Sequence, residues 1–482
     1  MKSVDNKQNI VVVGGGVLAL AVAYELLMDG KKISIIFPKS GDEESASRAA
    51  GAMLGAFGEV TADDGKDEVI ELEFRLAAQR MYPEWLKGIK ERAAKNIHQC
   101  MGSYIIANND GVCDRASIHR MKNEANRLDE PAHWVEPEEV PGLNPSTNHA
   151  PSLCLFLPNE NSIDSKELMD TLTQVVIEHE NCTHVNEAVK SVVRQGDDWS
   201  VTTETEIEIV TSQVVLAAGS RSLQILDDET SKEAAIPDLY FGKGVSVLVK
   251  GIEEVKHTIR TPNRAFACGV HVVPRGRDGY TYVGATNFMG TDHEEEKGIQ
   301  PAELHALFED TIHQINTDIR VSRIEEVRVG YRPIATTRMP VIGSSKIPGL
   351  YVATGTYRNG ILMAPLVAKI IAQEMGVANN EQKIVNPYPV FKDDLQEKTI
   401  DWDRLTTSGI RDIIRFIQEP HGPLPYDRAG ELQKYIKVLF ELAVREDINQ
   451  EHIRQGIRDK INEAPFNETM HKLFYEIIAH VD

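Results

Sequence analysis

The chain opens on an unbroken apolar run, Ile10 to Val13, followed by three glycines and then by an almost wholly apolar stretch that lasts to Met28. This pattern predicts a buried strand, a glycine turn, a helix over about Val17 to Met28 stopped by Gly30, and a second buried strand from Ile33 to Phe37. Strand, helix and strand of this length form a βαβ unit, and a parallel sheet follows. From Glu68 to about Ile97 the spacing predicts a long charged helix, which Pro83 is placed to break.

The pattern then changes. Alternation in "GSYIIAN" (102–108), "SLCLFLP" (152–158) and "GVHVVPRGRDGYTYVGAT" (269–286) predicts an antiparallel sheet, the last stretch being a hairpin that turns at Gly276 to Gly279. Between these, "SIDSKELMDTLTQVV" predicts a helix with Asp164 and Glu167 spaced as a capping box. "QVVLAAGS" reads as a buried strand ending in a glycine turn. The two sheet types are interleaved, which predicts a discontinuous nucleotide-binding domain (1–90, 160–235 and 335–395) with a substrate domain (91–159 and 236–334). Beyond about Gln396, apolar stripes at helical spacing, such as Ile410, Ile413, Ile414 and Ile417, predict an all-α C-terminal extension over 396–482.

Composition narrows the function classes. A formal charge of −21 argues against a polyanionic partner such as nucleic acid, because binding phosphates needs a local surplus of Lys and Arg. No window has the roughly 18 apolar residues of a membrane helix, and "MKSVDNKQN" lacks signal-peptide order. A cytoplasmic protein is expected. The five cysteines (100, 113, 154, 182 and 268) show no metal-ligand spacing, so buried thiols and no metal are expected.

Candidate chemistry starts at Gly14, Gly16 and Ala19, a G-x-G-x-x-A pattern. The first glycine permits a tight turn, the second admits a pyrophosphate to the backbone, the small third residue lets helix and strand approach, and the helix N-terminus supplies N–H donors. Gly14, Gly15, Gly16, Val17 and Leu18 are therefore candidate dinucleotide contacts. The acidic residue expected after the second strand is missing: Pro38 and Lys39 stand there, with Asp42, Glu43 and Glu44 slightly later, and the ribose contact stays unassigned. "SASRAAGAMLGAFGE" (45–59) is rich in small residues; either it packs as a tight helix start, or Ser45, Ser47, Arg48, Ala49, Ala50, Gly51, Ala52 and Met53 lie against the cofactor.

In order along the chain, the G-x-G-x-x-A, "AAGAMLGAFGE", "VVLAAGS", "HVVPRGRDGYTYVGAT", "GYRPIATTRMPVIG" and "TGTYRNGILMAP" motifs resemble those of the D-amino-acid oxidase superfamily, most like glycine oxidases of the thiamine pathway. The resemblance spans about Ile10 to Val390. It implies an α/β FAD-binding Rossmann-type domain interleaved with an antiparallel α+β substrate domain, and non-covalent FAD, since Gly330 lies where sarcosine-oxidase relatives carry a flavin-linked cysteine. Val189, Ala218 and Gly219 join the cofactor contacts on the same grounds. The implied reaction is hydride transfer from the α-carbon of a small amino acid or secondary amine (glycine, sarcosine or D-amino-acid type) to flavin, giving an imine that hydrolyses to a 2-oxo acid. Oxygen or another acceptor then takes the electrons.

Within that resemblance, Arg332 matches the arginine that forks onto the substrate carboxylate. Arg358, Asn359 and Gly360 form the R-N-G turn bordering flavin and substrate, and the N–H groups of Gly360, Ile361 and Leu362 at the next helix start face the reduced ring. Pro365 is expected to cost little near a first helical turn. Tyr357 and His271 replace family residues in the pocket, His271 as substrate ligand, titrating group or ordinary strand histidine. Two cleft arginines would over-neutralise one carboxylate, which raises a diacid or a larger acidic substrate. A subunit of a complex, docking a partner or a carrier-bound or peptide substrate through 396–482, is the alternative reading; the plainer role for that tail is to cover the body or to mediate self-association.

Overall fold

The structure is a computed structural model that describes residues 3–5, 10–39, 45–62, 65–108, 113–252, 254–263, 269–276, 279–290, 293–294, 297–335, 337, 339–377 and 383–391. The expected helices of 396–482, the acidic residues Asp42, Glu43 and Glu44, and Cys268 lie outside the described residues.

Strand Ile10–Val13 pairs in parallel with Ile33–Ile36 on one side and Val214–Leu216 on the other. Cys182–Val185 and Leu350–Thr354 extend the sheet, and Val341–Ser344 closes one edge in the antiparallel sense. The central strands are runs of β-branched residues without alternation because both faces are covered. On one face lie the helices Val17–Met28, Ser165–Ile177 and Gly360–Glu374, with Lys66–Ala93 packed beyond them. The other face meets a small antiparallel layer, Val189–Gln195, Asp198–Thr203 and Glu208–Thr211, whose Trp199 is fully buried. At the turn after the first strand, Gly14 adopts φ +124°, and a Cβ there would lie 2.3 Å from the Ala217 carbonyl oxygen, so only glycine lets the two strand ends meet.

The second sheet is built on two long strands, Leu239–Lys250 and Arg323–Ala335, paired antiparallel from Leu239↔Ala335 to Lys250↔Arg323. The expected hairpin forms from His271–Pro274 and Tyr280–Gly284. The sheet is mixed rather than antiparallel: Thr258–Arg260 runs parallel to Ser103–Ile105. Strands this far apart in sequence have ample chain for a crossover, so local pattern does not restrict their direction.

Three helix expectations change. Lys66–Ala93 runs through Pro83 without a break. Proline inside a helix costs about 3 kcal/mol, but Tyr82, Trp85, Leu86 and Ile89 are all buried at and beyond it, each contributing about 1.5–3 kcal/mol. The Asp164 cap forms, its Oδ1 accepting from Lys166 N–H and Glu167 N–H, but the box does not close, because the Glu167 carboxylate accepts from His98 N–H at 2.7 Å instead. Pro365 lies in the second turn of Gly360–Glu374, not the first, and so deprives the Ile361 carbonyl of its N–H partner four residues on. The buried Tyr82 hydroxyl donates to that carbonyl.

A proline-bearing helix thus repairs the gap left by a proline in its neighbour. Tyr82→Phe should destabilise the protein by about 1–3 kcal/mol through the orphaned carbonyl, read from the denaturant midpoint. Adding Pro365→Ala should return part of that loss, because the new N–H can reach Ile361.

Candidate functional site

A cleft of about 580 Å³ runs between the two sheets. It is lined by the glycine turn and helix start, Gly14, Gly15, Gly16, Val17 and Leu18, by Ser45, Ser47 and Ala50, by Val189, Ala218 and Gly219, and by Arg332, Tyr357, Arg358, Gly360 and Ile361. The sequence-selected residues from both sheets are therefore brought to one cavity. The remainder are not at its surface. Arg48, expected against the cofactor, instead forms an ion pair with Asp170 of the helix Ser165–Ile177 at 2.6 Å. The carbonyls of Ala49 and Gly51 accept from Tyr282 Oη and Arg275 Nη1, Ala52 O accepts from Ile163 N–H, and Met53 pairs with Ser162 in a short strand. Leu362 is buried in the helix core, and the Asn359 amide donates to Glu71 Oε1 at 3.2 Å.

The residues present fit FAD. A Cβ at Gly16 would meet only Ser47 Oγ, at 3.5 Å, so this glycine keeps space open at the helix start, whereas Gly15 is required by Phe37 at 2.5 Å. Val17 N–H donates to Ser47 Oγ at 3.0 Å, and the other first-turn amides have no acceptor within their own helix, which suits a pyrophosphate. The acidic ribose contact is not supplied by the strand end, where Phe37 and Pro38 line the cleft.

Within the cleft lining, Arg332 Nη1 donates to Thr286 O at 3.0 Å and Asn287 Oδ1 at 2.9 Å, and Asn287 Nδ2 donates to Tyr357 Oη at 2.6 Å. Asn287 is thus a splint between the guanidinium and the phenol. No carboxylate lies within ion-pair distance of Arg332 among the described residues. Gly244 leaves room for the guanidinium in this position, since a Cβ there would lie 2.1 Å from Arg332 Nη2. Tyr357 sits at φ +47°, a conformation unfavourable for a tyrosine. Its N–H bond to Pro333 O at 2.9 Å and its phenol bond to Asn287 hold it there.

Arg358 differs. Its Nε lies 3.4 Å from Glu59 Oε2, and its guanidinium stacks over the Tyr357 ring at 4.7 Å. Glu59 also pairs with Arg260 at 3.2 Å and accepts from Asn263 Nδ2 at 2.8 Å. Burial pushes the Glu59 carboxyl upward, but Arg358, Arg260 and Arg75 together outweigh it and bring its pKa down to about 2. Of the two cleft arginines, Arg358 therefore already has a carboxylate of the protein beside it, so the pair does not present two uncountered cations to a substrate.

His271 is only 3% exposed, stacks on Tyr282 at 5.7 Å and does not line the cleft. Burial, then repulsion from Arg260 and Arg332, lowers its pKa to about 3, so the ring is neutral near pH 7 and the titrating-group option falls away.

Glu59, Asn287, Arg260 and His293 were not selected from the sequence. Glu59 closes the small-residue stretch and Asn287 follows "VGAT", so position beside a chosen motif was the available signal. His293, a cleft residue whose Nε2 meets Ser220 Oγ at 2.8 Å, had none.

The depressed His271 pKa has a definite sign. Between pH 6.5 and about 3 the unfolded chain takes a proton that the folded ring refuses, so this residue removes about 1.4 kcal/mol of stability per unit fall in pH. His271→Gln should flatten the plot of denaturant midpoint against pH in that window.

Comparison with known proteins agrees with this geometry. The family described as FAD dependent oxidoreductase matches residues 9–374. The "Bifunctional protein ThiO/ThiG" of Trichormus variabilis is 26% identical over 373 residues, covering 76% of this chain and 52% of its own; the chain spans about half the length of such bifunctional relatives. "Glycine oxidase" of Geobacillus kaustophilus is 23% identical over 371 residues, covering 76% of this chain and 92% of its own. The crystal structure of glycine oxidase from Geobacillus kaustophilus superposes with a TM-score of 0.67 at 21% identity, covering 80% and 98% of the two chains, and that of iminodiacetate oxidase from Chelativorans sp. BNC1 with 0.65 at 17%, covering 80% and 100%; both show the shared fold. With the family match running through the glycine turn, both sheets and the R-N-G helix, this chain belongs to the FAD-dependent oxidoreductases of the DAO family.

Proposed function

We propose that the protein oxidises the C–N bond of a small amino acid or secondary amine of the glycine, sarcosine or D-amino-acid type, with oxygen as the electron acceptor. The observation that carries this reading is Arg332: a cleft guanidinium, fixed by Asn287 and Thr286, with no carboxylate partner among the described residues. Its planar fork suits a substrate carboxylate better than an ammonium would. Held without a covalent bond, FAD supplies two-electron oxidation of the amine to an imine, which water hydrolyses to a 2-oxo acid and ammonia or a primary amine.

The protein's share is orientation and charge. Arg332 fixes the acid end of the substrate, and the Asn287 splint fixes Arg332, so the α-carbon is presented in one pose. The first-turn amides of Gly360–Glu374, where Gly360 and Ile361 line the same cleft, add positive partial charge. None of the four described cysteines lines the cleft, which favours the non-covalent mode.

Anaerobic addition of glycine, sarcosine and a D-amino acid to the FAD-loaded protein should bleach the flavin with at least one of them; a flavin untouched by the whole panel would reject the reading. Arg332→Ala should weaken binding of acetate, a substrate-like acid, by about 30-fold or more, corresponding to about 2 kcal/mol or more for a desolvated charge pair. Asn287→Ala should weaken it less, because the guanidinium stays but loses its fixed orientation.

A further inference from the structure

Behind Arg358 lies a buried network with alternating charge. Glu59 contacts both Arg358 and Arg260, Glu71 holds Arg75 at 3.0 Å, and Glu160 accepts N–H bonds from Phe57 and Gly58 beside Arg260. Arg358 is the member of this network that also lines the cleft, with its side chain 16% exposed. Arg332 stands outside it. Two arginines in the same cleft are therefore in different electrostatic states: one is countered by a buried carboxylate, the other is not.

Resting on the amine-oxidation reading, we propose that Glu59 is a positioning and specificity residue: by neutralising Arg358 it leaves Arg332 as the cation for a substrate acid, so the site selects amines with one carboxylate over those with two. A second carboxylate placed near Arg358 has to displace Glu59 or lie beside it. Displacement strips a buried acid of its partner, and coexistence sets two like charges together where solvent screens them little. Glu59 cannot retreat by taking up a proton near neutral pH, because Arg358, Arg260 and Asn263 all favour its ionised form. Its position is fixed from three directions, so the barrier to a diacid is built into the wall rather than into a mobile side chain.

The test is calorimetric titration of acetate and of malonate into the FAD-loaded protein. The native protein should bind acetate more tightly. Glu59→Gln keeps the shape and the Asn263 contact but removes the charge; it should tighten malonate by about tenfold or more while acetate changes by less than about threefold. The charge-balanced double variant Glu59→Gln/Arg358→Gln should lose the malonate gain, which a merely structural role for Glu59 would not produce. If Glu59→Gln fails to hold FAD, Glu59→Asp, which withdraws the carboxylate by one methylene, should show the same preference at smaller amplitude. Equal shifts for both acids, or a malonate gain that survives in the double variant, would overturn the proposal. Turnover plays no part in this readout: a protein whose flavin no amine bleaches, yet whose Glu59→Gln variant gains malonate, would reject the oxidation reading and retain the charge selection.

Discussion

The cleft depends on one backbone hydrogen bond, from Tyr357 N–H to the Pro333 carbonyl at 2.9 Å. It ties the turn that leaves the parallel sheet to the end of the long strand Arg323–Ala335 of the other sheet. Arg332 and Arg358 are carried by those two segments, so this bond sets how the two guanidinium groups stand to each other. Tyr357 is held at a positive φ to make it, and the Asn287 splint then couples its ring to Arg332. Strain of order 1–3 kcal/mol in one residue is maintained because backbone and side chain are both anchored.

The same turn is secured from behind. Arg358 faces Glu59, and Asn359 donates to Glu71 on the long helix Lys66–Ala93. That helix also sends the Tyr82 hydroxyl to the Ile361 carbonyl, where Pro365 removes an N–H. The R-N-G turn and the first turns of its helix are thus fixed by side chains from elements nearly 300 residues away in sequence. These contacts commit the Asn359 side chain and the Ile361 carbonyl, while the first-turn N–H groups have no acceptor within their own helix.

Charge in the site follows from pairing more than from count. Arg260, Arg358 and Arg332 all bear on the same region, but Glu59 takes the first two, and Arg332 is held by neutral acceptors. His271, repelled by Arg260 and Arg332 and cut off from solvent, stays neutral behind the cleft surface, stacked on Tyr282.

Much was legible in the sequence for a local reason. An unbroken β-branched run has both faces covered, a glycine between strand and helix marks a turn that other residues cannot make, and an apolar run bounded by glycines places the helix at about Val17 to Met28, where it forms. These are properties of neighbours along the chain. Gly14, Gly16, Arg332 and Arg358 could be picked out because their motifs are short and contiguous. The sequence could not say that Pro83 would be tolerated, that Thr258–Arg260 would run parallel to its neighbour, that Arg48 would turn away to Asp170, or that Glu59 would neutralise Arg358. Each of those outcomes depends on burial and on partners distant in sequence, and a charge or a helix break has no fixed energy until its surroundings are set.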